Sequence, residues 1–535
     1  MQGFAELLDR LVLTPRRNGK IALLINYFRS TPDPDRGLAL AAITGDLDIA
    51  NVKPAMLRTI VMERVDPELF AYSYDYVGDL AETISLIWPM QDNRPNRTLT
   101  IGDVVEALAH ASRSDAPRLV ANLLDGLDAT ARYALLKLVT GGLRIGVSAR
   151  LAKQALADFG GRDTAEIEEL WHGLNPPYEG LFLWLEGKAP KPKSLAAAPF
   201  RPVMLSTALD EGDHAKITPM DYVAEWKWDG IRVQVTSEAG QRRLYSRTGD
   251  DISATFPDIL NHMSFEGTLD GELLVGHALG GQIQIGSFGD LQQRLNRKTV
   301  SASQLRKYPA FVRIYDLLLH EGEDLRPLPL MERRQRLEKL IPELEPTRFD
   351  LSPLLPFAAF DDLENLRNNP PHPIIEGLML KRRDAPYIAG RPKGPWFKWK
   401  RDPYTIDAVL VYAQRGHGKR SSYYSDYTFA VWTGPDDAPQ LVPVGKAYFG
   451  FTDEELREID RFIRDNTVER FGPVRSVRAD PDHGLVLEVA FEGLNRSSRH
   501  KSGVAMRFPR ISRLRRDKLP READRLETLV KLVAE

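Results

Sequence analysis

The stretch Glu225-Trp226-Lys227-Trp228-Asp229-Gly230-Ile231-Arg232 sets one lysine between two tryptophans, just ahead of a dipeptide that favours a turn. Two runs that read as buried strands flank the lysine, Tyr222-Val223-Ala224 and Ile231-Arg232-Val233-Gln234-Val235. Apolar flanks strip water from an amine, and desolvation favours its uncharged, nucleophilic form. A lysine so placed could attack an electrophile and carry it covalently. The same residues also suit a plain β-hairpin with Lys227 beside the turn, and Lys-x-Asp-Gly alone does not choose between the two.

Other stretches offer cations. Trp396-Phe397-Lys398-Trp399-Lys400, read as a strand, puts Lys398 and Lys400 on one face and the aromatics on the other. Two lysines on one face can neutralise phosphate charge in a transition state. In Thr140-Gly141-Gly142-Leu143-Arg144-Ile145-Gly146-Val147-Ser148 the glycines end one helix and Ser148 can cap the next. A helix start beside Arg144 and Arg150 could hold a phosphate; a plain helix–turn–helix corner accounts for the same residues. From Arg496 to Lys518 the basic residues are Arg496, Arg499, Lys501, Arg507, Arg510, Arg513, Arg515, Arg516 and Lys518, against the single acid Asp517. Such a run is often only a solvated face.

Bulk properties bound the answer. A chain of 535 residues is long enough for about three or four domains. Basic and acidic residues nearly cancel, 72 against 74, so any nucleic-acid surface must be local. No cysteine is present, which excludes disulfides and cysteine-ligated zinc and suits a reducing compartment. No apolar run approaches the roughly 20 residues of a membrane span, and Met1-Gln2-Gly3-Phe4-Ala5-Glu6 lacks a signal-peptide pattern. A soluble cytoplasmic protein with no membrane partner is expected.

The elements that must position these residues follow in order. Residues 1–186 read as helical: Phe4, Leu7, Leu8 and Leu11 recur at helical spacing, as do Ile21, Leu24, Tyr27 and Phe28, with further helices predicted at 103–108, 119–124 and 131–138. Residues 187–204 read as a linker, because Gly187-Lys188-Ala189-Pro190-Lys191-Pro192-Lys193 suits neither a helix nor a central strand. Residues 205–401 alternate strands and helices, with strands predicted at 243–246, 271–275, 311–317 and 377–381 and helices at 288–297 and 330–340. A mixed α/β class with antiparallel character (α+β) fits best. Beyond residue 402, strands at 406–412 and 427–432 are joined by a loop containing Arg415, Lys419 and Arg420, and a helix is predicted at 453–466. Short strands with one helix suggest a small β-barrel of OB type.

Taken in order, these stretches resemble the ATP-dependent DNA ligases, a branch of the covalent nucleotidyltransferases. Lys227-x-Asp229-Gly230-x-Arg232 resembles the signature whose lysine attacks a nucleotide α-phosphate and carries the nucleotide as a phosphoramide. The resemblance implies that Glu225 meets the adenine edge and that Arg232 contacts the nucleotide or the nick. Ser246-Arg247-Thr248-Gly249 resembles the next motif, with Arg247 on phosphate. Asp270-Gly271-Glu272-Leu273 resembles the third, with Glu272 on the ribose and in support of a metal. Tyr315-Asp316 matches the aromatic that stacks on the base, where a core tyrosine is the plain alternative. Glu376-Gly377-Leu378-Met379-Leu380-Lys381 resembles the fourth motif, with Glu376 as a metal-supporting carboxylate, and the stretch holding Lys398 and Lys400 resembles the fifth. Arg391 is implied as an assistant, although its spacing to Lys398 is one residue longer than in archaeal relatives. Arg507-Phe508-Pro509-Arg510, followed by Arg515-Arg516-Asp517-Lys518, resembles the sixth and implies nucleotide contacts for Arg515, Asp517 and Lys518. Leu143-Arg144-Ile145-Gly146 is similar to a segment of the helical DNA-binding domain of larger ligases, and Phe200-Arg201-Pro202-Val203-Met204-Leu205 to the entry into the adenylation domain.

The resemblance implies an enzyme that seals nicks in duplex DNA with ATP and Mg2+, Mn2+ serving as a substitute. It implies DNA contacts from Arg144, Arg150, Arg415, Lys419 and Arg420, and a monomer at work on the nucleoid in a prokaryotic cytoplasm. The expected architecture is multidomain: an all-α domain at 1–186, the linker at 187–204, an α/β (α+β) nucleotidyltransferase domain at 205–401 and an OB-fold β-barrel at 402–535. NAD-dependent ligases carry a cysteine-ligated zinc module, which a chain without cysteine cannot build. Capping enzymes and RNA ligases normally lack so long a helical front. A non-catalytic clamp has no reason to keep Lys227, Glu272, Glu376 and Lys398 together.

Overall fold

The structure is a computed structural model that describes the chain except residues 50, 78, 90–98, 142, 193–196, 296, 298, 416–423, 436, 449, 451, 473, 498–499 and 535. Two units divide the chain: Met1–Gly160, Asn175–Ala189 and Pro403–Glu535 form one, Gly161–Leu174 and Pro190–Asp402 the other. No helix among the described residues is long and apolar enough to cross a membrane.

The first unit begins with helices whose apolar stripes are those read from the sequence. Gln2–Leu13 buries Phe4, Leu7, Leu8 and Leu11, and Arg17–Ser30 buries Ile21, Leu24, Tyr27 and Phe28. The helices predicted at 103–108, 119–124 and 131–138 lie within Ile101–Ala109, Ala116–Asp125 and Ala129–Thr140. Their ends are closed by side chains. Thr100 and Asp103 form a capping box at the start of Ile101–Ala109, and Asp35, from another helix, accepts the N–H groups of Ile101 and Gly102. Gly141, at φ 68°, ends Ala129–Thr140 in the left-handed conformation that glycine adopts without strain. Ser148 Oγ accepts the Leu151 N–H at 3.2 Å, the cap expected of it.

In chain order, the strands of the second unit are β1 (Thr207–Ala208), β2 (Tyr222–Trp228), β3 (Ile231–Glu238), β4 (Gln241–Ser246), β5 (Gly267–Leu279), β6 (Gln282–Ile285), β7 (Ala310–His320), β8 (Glu323–Asp324), β9 (Phe349–Leu351), β10 (Leu354–Leu355), β11 (Ile375–Arg382) and β12 (Trp396–Lys400). They form two sheets. One runs β1-β12-β11-β2-β10; the other runs β4-β3-β5-β7-β8, with β6 on β5 and β9 on β7. The strands either side of the lysine motif therefore do not pair, which overturns the hairpin alternative. β2 lies between β10 and β11 in the first sheet, and β3 lies between β4 and β5 in the second. Asp229 and Gly230 carry the chain across. Gly230 passes so close to β5 that a Cβ would overlap the Leu273 carbonyl, so glycine is required by space.

The second sheet packs Val233, Val235, Leu269, Leu273, Val312 and Leu337 into one core. Helix Leu330–Leu340 lies where it was predicted. The helix predicted at 288–297 stops at Gln292, because the fully buried Arg294 turns its guanidinium to Asp258 and the Thr255 carbonyl. Two segments belong to this unit although they precede its sheets. Helix Thr164–Trp171 is one, and the His172 ring after it lies 5.6 Å from Phe200 and 5.0 Å from Tyr245. The other follows Pro190, where Phe200 and Val203 are buried against Tyr245.

The C-terminal part of the first unit is strand-rich: β13 (Tyr404–Arg415), β14 (Tyr424–Thr433), β15 (Gln440–Ala447), β16 (Thr467–Phe471), β17 (Val474–Val477), β18 (Val486–Phe491), β19 (Gly493–Arg496), β20 (Val504–Arg507) and β21 (Arg510–Leu514). β13 is the shared member. It pairs β14 on one edge, and on the other β18 with its first half and β17 with its second. A register shift between Leu410 and Tyr412 bends the strand to do this. Helix Asp453–Asp465 packs Ile459 and Ile463 into the same core as Leu410, Phe429 and Val489.

Candidate active site

β2, β11 and β12 place three residues in line: Lys227 is opposite Gly377, and Gly377 is opposite Lys400. The ladder between β2 and β11 is irregular between Ile375 and Gly377, so Glu376 leaves the regular alternation. Gly377 takes φ +147°, and a Cβ there would overlap the Trp399 carbonyl. Glu376 Oε2 thereby comes 2.8 Å from Lys227 Nζ and 3.2 Å from Lys400 Nζ. The lysine is not the bare, desolvated amine that its tryptophan neighbours suggest. Its amine is held in an ion pair, with its side chain 22% exposed.

The second sheet supplies Glu272, opposite Arg232 in the β3–β5 ladder. Its Oε1 accepts the Gly230 N–H at 3.2 Å. Burial pushes the Glu272 carboxyl up to about 8, and the nearby charges of Lys227 and Arg232 offset this only in part. Burial also works to raise Glu376, but there Lys227, and after it Lys400, win and hold the carboxyl at about 2. Two carboxyls near one lysine are thus driven in opposite directions, one lacking a direct cation and the other touching two.

Arg232 is fully engaged. Nε and Nη2 donate to the two oxygens of Asp270 at 3.0 and 2.6 Å, Nη2 also donates to Tyr387 Oη, and Nη1 donates to the Met204 carbonyl at 2.7 Å. Tyr387 in turn donates to Asp270 at 2.6 Å. Glu225 is no strand-end surface residue. It is buried and accepts from Lys381 Nζ at 3.0 Å, both side chains being almost wholly enclosed. Lys381 lies 4.3 Å from the Tyr315 ring centre and 4.7 Å from that of Trp396.

Lys398 and Lys400 share a face of β12, as the alternation predicts, but Trp396 has the same parity and packs with Tyr315 and Tyr387, so only Phe397 and Trp399 lie on the other face, against Tyr222, Leu378 and Phe360. Burial lowers the Lys398 amine, and repulsion from Arg391, Lys227, Lys400 and Arg247 lowers it further. Arg247 is depressed in the same way, by burial and then by Arg232 and Arg391. These interactions bring Lys227, Arg232, Arg247, Glu272, Tyr315, Glu376, Arg391, Lys398 and Lys400 into one neighbourhood. Cations that repel one another to this extent suit a polyanion. Among the described residues no group of three or more His, Asp and Glu side chains forms a ready metal cage.

Sequence reading gave no role to Lys381, Asp270, Tyr387 or Arg313. The first two lie inside quoted motifs, so their spacing was available. Arg313 is opposite Glu272 in the β5–β7 ladder, is held by Asp350 at 2.6–3.1 Å, and stacks on Trp228 with its guanidinium 4.2 Å from the ring centre. No local signal marks it or Tyr387.

The remaining candidates belong to the first unit. Arg515 donates to both oxygens of Asp407 at 2.9 and 2.8 Å and to both of Asp517 at 2.9 and 2.6 Å, and Lys518 donates to Asp407 at 2.6 Å. Asp407, on β13, was not anticipated. Arg144 is exposed at φ +45°, and Arg150 is exposed at the start of helix Ala149–Gly160. Arg415 ends β13, with its guanidinium 5.6 Å from the Tyr424 ring centre. Lys419 and Arg420 lie outside the described residues.

Three family models match the chain in order: the DNA ligase N terminus over residues 1–157, the ATP dependent DNA ligase domain over 203–400, and the ATP dependent DNA ligase C terminal region over 420–518. The chain is 32% identical to the "Probable DNA ligase" of Koribacter versatilis (strain Ellin345), across 98% of this chain and 95% of the relative. It is 28% identical to "DNA ligase 1" of Korarchaeum cryptofilum (strain OPF8), across 98% and 97%. The solved structure Pmar-Lig_PreS3 shares the fold, with a TM-score of 0.59 at 14% identity, across 96% of this chain and 99% of that one. Three matched regions in sequence, and a relative aligned along nearly its whole length, show that the chain belongs to the ATP-dependent DNA ligases, enzymes of the ATP-binding nucleotidyltransferase class.

Proposed function

We propose that the chain seals nicks in duplex DNA through a Lys227–AMP intermediate. The observation that carries this reading is the crowd of cations about Lys227, whose mutual repulsion a triphosphate would relieve. The Lys227 nitrogen, having lost its proton, attacks the α-phosphorus of ATP. An N–P bond forms as the P–O bond to pyrophosphate breaks. AMP then passes to the 5′-phosphate of the nick, which frees the lysine. The 3′-hydroxyl attacks that phosphate, the phosphodiester bond closes and AMP leaves.

Glu376 orients the Lys227 amine until the nucleotide arrives. Lys398 and Lys400, with Arg247 and Arg391, neutralise charge on the phosphates. Glu225 and Tyr315 serve the adenine side, Glu272 serves the ribose, and Arg232 meets the nucleotide or the nick. Arg515, Asp517 and Lys518 serve the departing pyrophosphate. Mg2+, or Mn2+ in its place, fits the donor set: Glu272 is a half-buried carboxyl kept up at about 8 without a cation against it, and Glu376 stands nearby. Such an ion takes one or two carboxylates together with substrate phosphates, and when bound it would draw charge from the phosphate oxygens.

In this reading residues 1–186 bind DNA, 187–204 link, 205–401 carry the adenylation chemistry, and 402–535 form an OB-fold barrel. Arg401-Asp402-Pro403 serves as the hinge, and the two units change over between Asp402 and Pro403. Arg144, Arg150, Arg415, Lys419 and Arg420 contact backbone phosphates, so DNA binding is salt-sensitive and largely indifferent to sequence. The protein acts as a monomer in a prokaryotic cytoplasm, in DNA replication, repair or recombination.

Labelled ATP with Mg2+, followed by a denaturing gel, tests the reading. The wild-type chain is expected to take a covalent label and Lys227→Ala none. Lys227→Arg should fail too, because a guanidinium stays protonated. A nicked duplex offered with ATP, GTP or NAD should be sealed with ATP. Normal labelling of Lys227→Ala, or sealing with NAD in place of ATP, would overturn the proposal.

A further inference from the structure

Lys20 is a buried lysine outside the adenylation chemistry, and it holds a loop 125 residues away. It lies on helix Arg17–Ser30, and its Nζ donates to the Ile145 carbonyl at 2.8 Å and to the Gly146 carbonyl at 2.9 Å. The loop it grips is unusual in three ways. Leu143 and Ile145 are buried, and Arg144 between them is exposed. Arg144 takes φ +45°, a left-handed conformation that non-glycine residues rarely hold without support. Gly146 takes φ +65°, and a Cβ there would overlap the Lys20 ammonium. Gly146 is thus required twice, by its backbone angle and by the lysine that must pass it. A buried ammonium cannot be left without acceptors, so the two carbonyls must stay where Lys20 meets them. That fixes the Ile145–Gly146 and Gly146–Val147 peptide groups, which begin one residue beyond Arg144, and leaves the Arg144 side chain outside.

We propose that Lys20 is a positioning residue for DNA binding: by holding the Ile145 and Gly146 carbonyls it keeps Arg144 in the left-handed conformation that presents its guanidinium to a backbone phosphate. This rests on the reading of Arg144 as a phosphate contact, and the test separates the two.

Full-length wild type, Lys20→Met, Arg144→Ala and the double variant are titrated with a nicked duplex whose 3′ end cannot be joined, over a range of salt concentrations. Lys20→Met is expected to weaken binding about tenfold and to lower the salt slope by about one unit, the signature of one lost phosphate contact. Arg144→Ala should do the same, and the double variant should be no weaker than either single variant, because both remove one interaction. Formation of Lys227–AMP by Lys20→Met should match wild type. Additive losses in the double variant, wild-type binding by Lys20→Met, or a slope falling by several units as if the whole helical region had opened would overturn the positioning role while leaving Arg144 as a DNA contact. Wild-type affinity and slope in Arg144→Ala would overturn the reading beneath it, and the proposal with it.

Discussion

Around Lys227 and around Arg515 the chain assembles the same kinds of side chain, lysines and arginines interlocked with carboxylates, yet the two clusters behave differently. In the first, burial is the leading influence. It drives Glu272 up to about 8 and lowers Lys398, while Glu376 nearby is pulled to about 2 by the lysines it touches. In the second, hydrogen bonding leads. Asp517 holds Arg515 above its ordinary range, and Arg515 holds Asp517 well below the usual carboxylate range. In the first cluster the Glu272 carboxyl is poised to change charge when a ligand or ion enters. In the second, Arg515 and Asp407 are just as enclosed, 12% and 10% exposed, but there each charge meets an opposite one directly. Direct pairing, not composition, decides which kind of site a set of enclosed charges becomes: no cation touches Glu272, whereas Arg515 and Asp517 hold one another.

The sharpest way to break the contrast is to strip one charge from a buried pair. Lys381→Ala leaves Glu225 enclosed without its cation, and unfolding measurements should show a loss of ~3–5 kcal/mol. Glu225→Gln with Lys381→Met removes both charges and should recover much of that loss; no recovery would mean that packing over Tyr315, not charge, is what matters.

The Arg515 cluster should instead show itself in one chemical step. Asp517→Ala with Lys518→Ala is expected to slow formation of the Lys227–AMP adduct about 100-fold, since cations there orient the departing pyrophosphate. The same variant should join a nick supplied with a pre-adenylylated 5′ end at close to the wild-type rate. A parallel fall in both rates would make the cluster structural.

A pH series sharpens the comparison further. Below an ordinary glutamate value of 4.5 Glu272 is protonated in both folded and unfolded chains, whereas between that value and about 8 the unfolded chain ionises and the folded one keeps its proton. The folded chain therefore binds more protons in this window, and its stability falls as pH rises through it. Glu272→Gln does not titrate. Its melting temperature relative to wild type should climb by several °C between pH 5 and pH 8, with up to about 1.4 kcal/mol of relative stability gained per pH unit in this window. A constant difference would show that burial does not govern this carboxyl.

The smallest effect is expected from Arg516, whose partner Glu458 is also on the surface. Arg516→Ala should move the melting temperature by no more than about 1 °C, because exposed ion pairs contribute little. A large drop would place the tail network among the structural elements.

How much of this was legible beforehand depends on range. Helix Gln2–Leu13 and helix Leu330–Leu340 could be read because apolar spacing and caps are local, and Lys398 and Lys400 shared a face because a strand alternates. The motif residues could be found because their spacing along the chain is fixed. Other features have no local signal. That β2 and β3 enter different sheets depends on which strands compete for their edges, so Lys-x-Asp-Gly read as well as a hairpin. The bulge that turns Glu376 onto Lys227 appears only when β11 meets β2, and the helix that should have run to residue 297 ended because Arg294 found Asp258 across the core. Tertiary structure alone paired Lys381 with Glu225, Asp407 with Arg515, and Lys20 with the carbonyls beside Arg144. The sequence by itself determined which residues could do chemistry and in what order they come. The tertiary structure decided which of them are buried and which charge faces which, because desolvation and Coulomb interaction depend on distance in space and not on spacing in the chain.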